Sequence, residues 1–144
     1  MKNELTIFYT DDDRDDLEFF TEIVETISSN IKVVQQTNGM ELINQLKNPP
    51  PTPHLIFLDL NMPGLSGLET LTRLRQMEDH KNLPVVILST SNDEKTIDTT
   101  LKMGANFYVP KSGVYESLKK SIEHALSINW KNFIPSQSNF VYNY

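Results

Sequence analysis

Cysteine is absent from this chain of 144 residues. That excludes disulfides, thiolate metal sites and cysteine nucleophiles, and it fits a reducing compartment without requiring one. No apolar run approaches the ~20 residues a helix needs to cross a bilayer. Met1-Lys2-Asn3-Glu4 passes directly into a short strand-like run, with no secretory leader in front of it. A soluble, cytoplasmic protein without a membrane partner is expected. Positive charge is also scarce: the net charge is -6, which argues against a sequence-independent hold on nucleic acid. No internal repeat is visible. At this length the chain is one ordinary domain, whose core can bury roughly two-thirds of the unfolded surface without a staple.

What is present is organised around Leu55-Ile56-Phe57-Leu58-Asp59-Leu60-Asn61-Met62-Pro63-Gly64-Leu65-Ser66-Gly67. An unbroken apolar run that meets turn residues at once reads as a strand buried on both faces. Asp59 then stands where that strand enters its loop. Similar runs are Leu5 to Tyr9, Ile31 to Val34, Val85 to Leu88 and Asn106 to Val109. Between them apolar residues recur at helical spacing: Leu17, Phe20, Val24 and Ile27; Met40, Ile43 and Leu46; Leu68, Leu71 and Leu74; Ile97 and Leu101; Val114, Leu118, Ile122 and Ala125. Ser66 with Glu69, and Ser91 with Glu94, have capping-box spacing. Asp13 suits a cap for the first helix, and Gly104 suits a C-cap. Asn48 to Pro53, with four prolines, reads as an extended loop.

Strand and helix alternate five times. This predicts an α/β fold: a doubly wound parallel sheet of five strands, order 2-1-3-4-5, covered on both faces. In such sheets ligands bind at the carboxyl edge, at the switch point between strands 1 and 3. Asp11 and Asp12 end strand 1, Asp59 ends strand 3, Ser89 ends strand 4 and Lys111 follows strand 5. Carboxylates converging there repel: at ~4 Å and an effective dielectric near 20 each pair costs about 4 kcal/mol. They must take up protons or hold a cation. An all-oxygen site suits a hard divalent ion, Mg²⁺ in particular. Such a site with Lys and Ser opposite is equipped for phosphoryl transfer to a carboxylate. This reasoning alone leaves open which Asp is the nucleophile.

The chain resembles a response-regulator receiver domain of two-component signalling, a flavodoxin-like fold, over roughly residues 4 to 127. The matching pieces are Asp11-Asp12-Asp13, Asp59-Leu60-Asn61-Met62-Pro63-Gly64 with Gly67, Ser89, and Lys111 three residues after Tyr108. The resemblance implies that Asp59 accepts a phosphoryl group from a sensor histidine kinase or a phosphotransfer protein. It implies that Asp11, Asp12, Asp59 and the backbone carbonyl of Asn61 hold Mg²⁺. Ser89 would bond a phosphoryl oxygen, and Lys111 would pair with that group and, before it arrives, with Asp59. Ser89 and Tyr108 match the family's switch pair, in which the hydroxyl moves toward the phosphoryl group and the ring turns inward. The output would be a changed binding surface for a downstream protein, or onward transfer. The expected organisation is a receiver at 4–128 and a tail at 129–144 with no output domain. The last few tail residues should fray, while Trp130 and Phe133 are large enough to pack.

Competing readings have recognisable marks. A phosphorylation-independent docking module would lack an acid, the hydroxyl or the lysine, and none is missing. An aspartyl phosphohydrolase commonly carries a second acid two residues after its nucleophile, where this chain has Asn61. A flavin site would need a Ser/Thr/Gly phosphate loop after strand 1, where this chain has acids. The family usually has Pro after its lysine. Here Ser112 follows Lys111, and a cis bond before serine would cost roughly 2.5–4 kcal/mol, so a trans bond is expected. His54 and His80 read as loop residues and His124 as a helix-surface residue, none with a metal role.

Overall fold

The computed structural model describes residues 4–144; Met1–Asn3, the lead-in to the first strand, lie outside the described residues. The chain runs β1 (Leu5–Thr10), α1 (Arg14–Ile27), β2 (Ile31–Gln36), α2 (Gly39–Lys47), β3 (Leu55–Leu58), α3 (Gly67–Gln76), a 3-10 turn (Glu78–His80), β4 (Val85–Ser89), α4 (Glu94–Lys102), β5 (Phe107–Pro110) and α5 (Tyr115–Ser127). All strand pairs are parallel and the order is β2-β1-β3-β4-β5, as the strand-helix alternation predicts.

The strands are apolar throughout because both faces are covered. Ile7, Tyr9, Leu55, Phe57, Val86, Leu88, Phe107 and Val109 pack under α1 and α5. The alternate residues Phe8, Ile56, Leu58, Val85, Ile87 and Tyr108 pack with the buried residues of α2 and α3. Each fully buried large apolar side chain contributes about 1.5–3 kcal/mol of transfer free energy. The same period of two carries past the strand ends. Thr10 pairs with Leu58, and the Asp59 N–H still donates to the Thr10 carbonyl at 3.0 Å. Asp11 and Asp59 therefore leave the sheet side by side, on the face that α1 and α5 cover.

Local signals explain most helix starts. Asp13 caps α1 by accepting from the N–H groups of Asp15 and Asp16, and Ser66 and Glu69 form the expected capping box. The second predicted box does not form. Asp93, not Ser91, caps α4 and accepts from the Thr96 N–H, so α4 begins after it. An aspartate one turn ahead of Thr96 offers the stronger acceptor, and Ser91 Oγ instead accepts from the Asp93 N–H. Gly104, at φ +100°, ends α4 as expected. Two residues assigned to buried stripes are exposed: Met40 at 43% and Val114 at 62%. Leu42 takes the inward place in α2, and Val114 caps α5 at the mouth of the site. Ile97 and Leu101 of α4 are only partly buried; Thr100 is its buried residue. The proline loop bends instead of extending, with cis bonds at Pro49–Pro50 and Pro50–Pro51, whereas Lys111–Ser112 is trans as expected.

The histidines lie where the sequence suggests. His54, ahead of β3, accepts at Nδ1 from the Thr6 N–H, His80 lies in the 3-10 turn, and His124 is exposed on α5.

The expectation of a frayed end is corrected. Phe140 is 1% exposed, and its carbonyl accepts from the Tyr108 N–H at 2.8 Å. The Tyr142 N–H donates to the Tyr108 carbonyl at 2.9 Å, so Val141 pairs with Tyr108 as a single parallel bridge on the outer edge of β5. Trp130 and Phe133 stack edge-on against Phe107. An open edge strand leaves a row of backbone groups unpaired; this aromatic segment pairs them and buries a ring in doing so.

Candidate functional site

The carboxyl edge of the sheet brings together Asp11, Asp12 and Asp59, which offer carboxylate oxygens within 4.8 Å of one another. Asp11 and Asp59 are buried and Asp12 is exposed, so the cluster has two ligands rooted in the sheet and one facing solvent. The all-oxygen donor set fits a hard divalent cation. Asn61 stands in the loop beside them and is exposed, and its backbone amide favours the ionised form of the Asp59 carboxylate.

The loop after β3 is held close to the sheet by Gly67. A Cβ there would lie 2.3 Å from the Asp59 carbonyl oxygen and 2.5 Å from the Leu60 Cα. Only glycine lets α3 start against the backbone that carries Asp59. The Gly67 N–H donates to the Leu60 carbonyl at 3.0 Å and closes the turn.

Lys111 reaches into this edge from β5. Its ammonium lies 2.8 Å from Asp11, 2.9 Å from Asp16 and 3.5 Å from Asp59. The expected pairing with Asp59 is thus the longest of three, and the main partners are Asp11 and Asp16. Asp16 projects from the first turn of α1, close enough to share the ammonium. Burial alone would lower the Lys111 ammonium. The hydrogen bonds that the ammonium donates to Asp11 and Asp16 and the charges of Asp59 and Asp11 outweigh it and hold the group above the ordinary lysine range.

Asp59 is also shifted upward, which for a carboxyl disfavours the charged form. Burial raises its carboxyl to about 6; Lys111 opposes that rise, Asp11 adds to it, and the Asn61 N–H opposes it. One lysine does not compensate the carboxylates around it, so charge is left over at this edge.

Two site residues escape sequence reasoning. Asp16 lies in the first turn of α1, where an acid is favoured by the helix dipole alone, so nothing local marks it as a site residue. Tyr9 reads as core, yet its hydroxyl donates to Asp11. Burial, then Asp11, push the Tyr9 phenol well up, so it stays a donor. The signal for Tyr9 was its spacing: two residues before Asp11 on one strand means the same face.

Ser89 and Tyr108 sit beside the cluster. Ser89 ends β4 fully buried, and its Oγ accepts from the Ser91 N–H at 3.2 Å. The Lys111 N–H donates to the Ser89 carbonyl at 2.7 Å, which ties the lysine loop to β4. The Tyr108 ring is buried, and its hydroxyl donates to the Ser91 carbonyl at 2.7 Å. Ser89 and Tyr108, expected as a switch pair, are therefore linked through Ser91.

Known proteins resemble this chain in sequence and fold. The family described as response regulator receiver domain matches residues 7–123. The chain is 29% identical over 122 residues to the response regulator Rcp1 of Synechocystis sp., covering 81% of this chain and 83% of that one. It is 44% identical over 89 residues to the nitrate/nitrite response regulator protein NarL of Escherichia coli, covering 60% of this chain but only 37% of NarL. Among solved structures, the phosphorylated cyanobacterial phytochrome response regulator RcpA superposes with a TM-score of 0.80 at 28% identity, covering 92% of this chain and 97% of that one. The Mn²⁺-bound form of Rcp1 superposes with a TM-score of 0.77 at 27% identity, over 92% of this chain and 99% of that one. With its five-stranded order, its acidic carboxyl edge and a match across most of its length, the chain belongs to the response regulator receiver domain family.

Proposed function

We propose that Asp59 is the phosphoacceptor of this response regulator. Its carboxylate oxygen attacks the phosphorus of a phosphohistidine on a sensor histidine kinase or phosphotransfer protein; the P–N bond breaks and the imidazole leaves. The observation that carries the reading is the convergence of Asp11, Asp12 and Asp59 within 4.8 Å, with Lys111 reaching over them. Asp11, Asp12, Asp59 and the Asn61 carbonyl would hold the divalent cation, Mg²⁺ in the cell. The cation supplies positive charge to the equatorial oxygens of the transferring group. Lys111 serves the same oxygens from the β5 side, and Ser89 donates its hydroxyl to one of them. Asp59 is the nucleophile, and not Asp11, because the Asp11 oxygens are engaged by the Tyr9 hydroxyl, the Asp13 N–H and the Lys111 ammonium.

The chain acts as a phosphoacceptor and not as a turnover hydrolase, since Asn61 stands where a leaving-group acid would be needed. Residues 4–128 form the signalling unit. Output runs through Ser89 and Tyr108 to a protein partner or to onward transfer, with no nucleic acid bound. Among the described residues no helix is long and apolar enough to cross a membrane.

Intact mass spectrometry after incubation with acetyl phosphate tests the reading. Wild type gains one phosphoryl group when Mg²⁺ is present and none with a chelator; Asp59→Asn gains none. An adduct that persists in Asp59→Asn would assign the chemistry elsewhere. A wild type that neither labels nor responds to beryllofluoride would make the chain a phosphorylation-independent docking module.

A further inference from the structure

The phosphoacceptor reading gives no role to the aromatic segment after α5. Yet that segment grips the switch tyrosine. The Tyr108 backbone is bonded on both sides, to the Phe140 carbonyl at 2.8 Å and to the Tyr142 N–H at 2.9 Å. The buried Phe140 ring packs on the Tyr108 ring with centroids 6.2 Å apart. Tyr142 leans on His124 of α5 at 5.3 Å. The Tyr144 hydroxyl donates to the carbonyl of Pro110, the residue before Lys111.

Two lines of contact run from this segment to the site. Through Tyr108, whose hydroxyl bonds the Ser91 carbonyl, the segment holds the loop in which the Ser91 N–H donates to Ser89 Oγ. Through Tyr144 and Pro110 it holds the loop of Lys111, whose N–H donates in turn to the Ser89 carbonyl. Both loops must be in place for a phosphoryl group to be met by a hydroxyl and an ammonium at once. Ser136 to Asn139, just before Phe140, are exposed, so the segment is held by the buried Phe140 ring, the partly buried Val141 and Tyr142, the two backbone bonds to Tyr108 and the Tyr144–Pro110 bond. A terminal segment with this few contacts belongs to the part of a fold that opens locally, and it can respond to the site.

We propose that residues 139–144 are a regulatory clamp: docked on Tyr108, they pre-order the Ser89 and Lys111 loops, so that clamp docking and occupation of Asp59 by a phosphoryl group strengthen each other. The inference rests on the phosphoacceptor reading of Asp59. Coupling of this kind is reciprocal. A ligand that meets loops already ordered loses less entropy on binding, which sets the sign as positive.

The test uses beryllofluoride with Mg²⁺ as the phosphoryl mimic on the full chain. Wild type is compared with Tyr142→Pro, which removes the N–H bonded to Tyr108 and keeps Phe140, and with Phe140→Ala. Calorimetry is expected to give a beryllofluoride dissociation constant at least about 5-fold weaker in both variants, while their affinity for Mg²⁺ alone stays that of wild type. In wild type, amide exchange at Tyr142 is expected to slow by a similar factor when beryllofluoride binds. Far-UV circular dichroism checks the fold; if Phe140→Ala does not fold, Tyr142→Pro and the wild-type exchange decide. Unchanged beryllofluoride affinity in a folded variant overturns the clamp and leaves the segment structural. Tighter affinity overturns it too, since the segment would then oppose the switched state. Absence of beryllofluoride binding in wild type removes the phosphoacceptor reading itself, and the clamp with it.

Discussion

Each edge of the sheet holds a half-buried cation, and the two are treated in opposite ways. At the amino edge, Arg75 at the end of α3 donates to the carbonyls of Gly104, His80 and Leu83 and to Asn106 Oδ1, at 2.7–3.0 Å. No carboxylate is among these partners. Burial lowers its guanidinium to about 10, and neutral oxygens satisfy it. At the carboxyl edge Lys111 faces Asp11, Asp16 and Asp59, with Asp12 nearby. Arg75 ties α3, the 3-10 turn and the entries to β4 and β5 into one rigid corner. Lys111 stands among charges that it cannot neutralise. The first edge is built to be stable. The second concentrates negative charge that a cation could meet.

The comparison can be broken in three places. Arg75→Met leaves the Gly104 and Leu83 carbonyls without a donor, while the His80 carbonyl keeps the Leu83 N–H and Asn106 Oδ1 keeps the Val85 N–H. A loss of about 3 kcal/mol of stability is expected in urea unfolding, with Mg²⁺ affinity unchanged because the carboxyl edge is untouched. Lys111→Met should do the reverse. Labelling by acetyl phosphate slows about 100-fold, equivalent to about 2.7 kcal/mol at the transition state, when followed by mass against time. Its effect on stability is the smaller one, since lost pairing is offset by relief of lysine burial. Asp13→Ala removes only the α1 cap and costs about 1 kcal/mol in urea unfolding. Asp13 accepts from Asp15 and Asp16, so this variant also shows whether the position of Asp16 beside Lys111 depends on the cap.

The sheet and most of its acid edge were legible in the sequence because both follow from short-range rules. A run such as Ile56 to Leu58 has no polar face to spare, so it must be covered twice, and parallel order follows. The period of two then brings Asp11 and Asp59 out together. What was not legible depends on tertiary distance. Asp16 becomes a lysine partner only because α1 starts where β5 ends in space, 95 positions away in the chain. Ser91 and Asp93 both carry local capping signals; the aspartate is the stronger acceptor, and Ser91 is engaged in the turn that ties Ser89, Ser91 and Tyr108. Phe140, Tyr142 and Tyr144 recur every second residue, but three aromatics at the end of a largely polar stretch are too short a pattern to show where they dock. Their place is set by the unpaired edge of β5, which is no local property of residues 129–144.

The central claim is that the carboxyl edge carries unbalanced negative charge until a cation enters it. Thermal unfolding of wild type and Asp59→Asn, with chelator and with Mg²⁺, tests it most directly. Because the fold raises the Asp59 carboxyl to about 6, its contribution to metal-free stability is fully present below the ordinary carboxylate value near 3.8 and is lost as pH rises through about 6. At pH 7 with chelator, Asp59→Asn should therefore unfold above wild type, by ~3 °C for each 1 kcal/mol relieved. At a hundredfold over its dissociation constant, Mg²⁺ should add about 2.7 kcal/mol to wild type, and less to Asp59→Asn, which lacks one ligand. If Asp59→Asn unfolds below wild type in chelator, and Mg²⁺ stabilises both equally, the edge is a balanced structural network and the account is wrong.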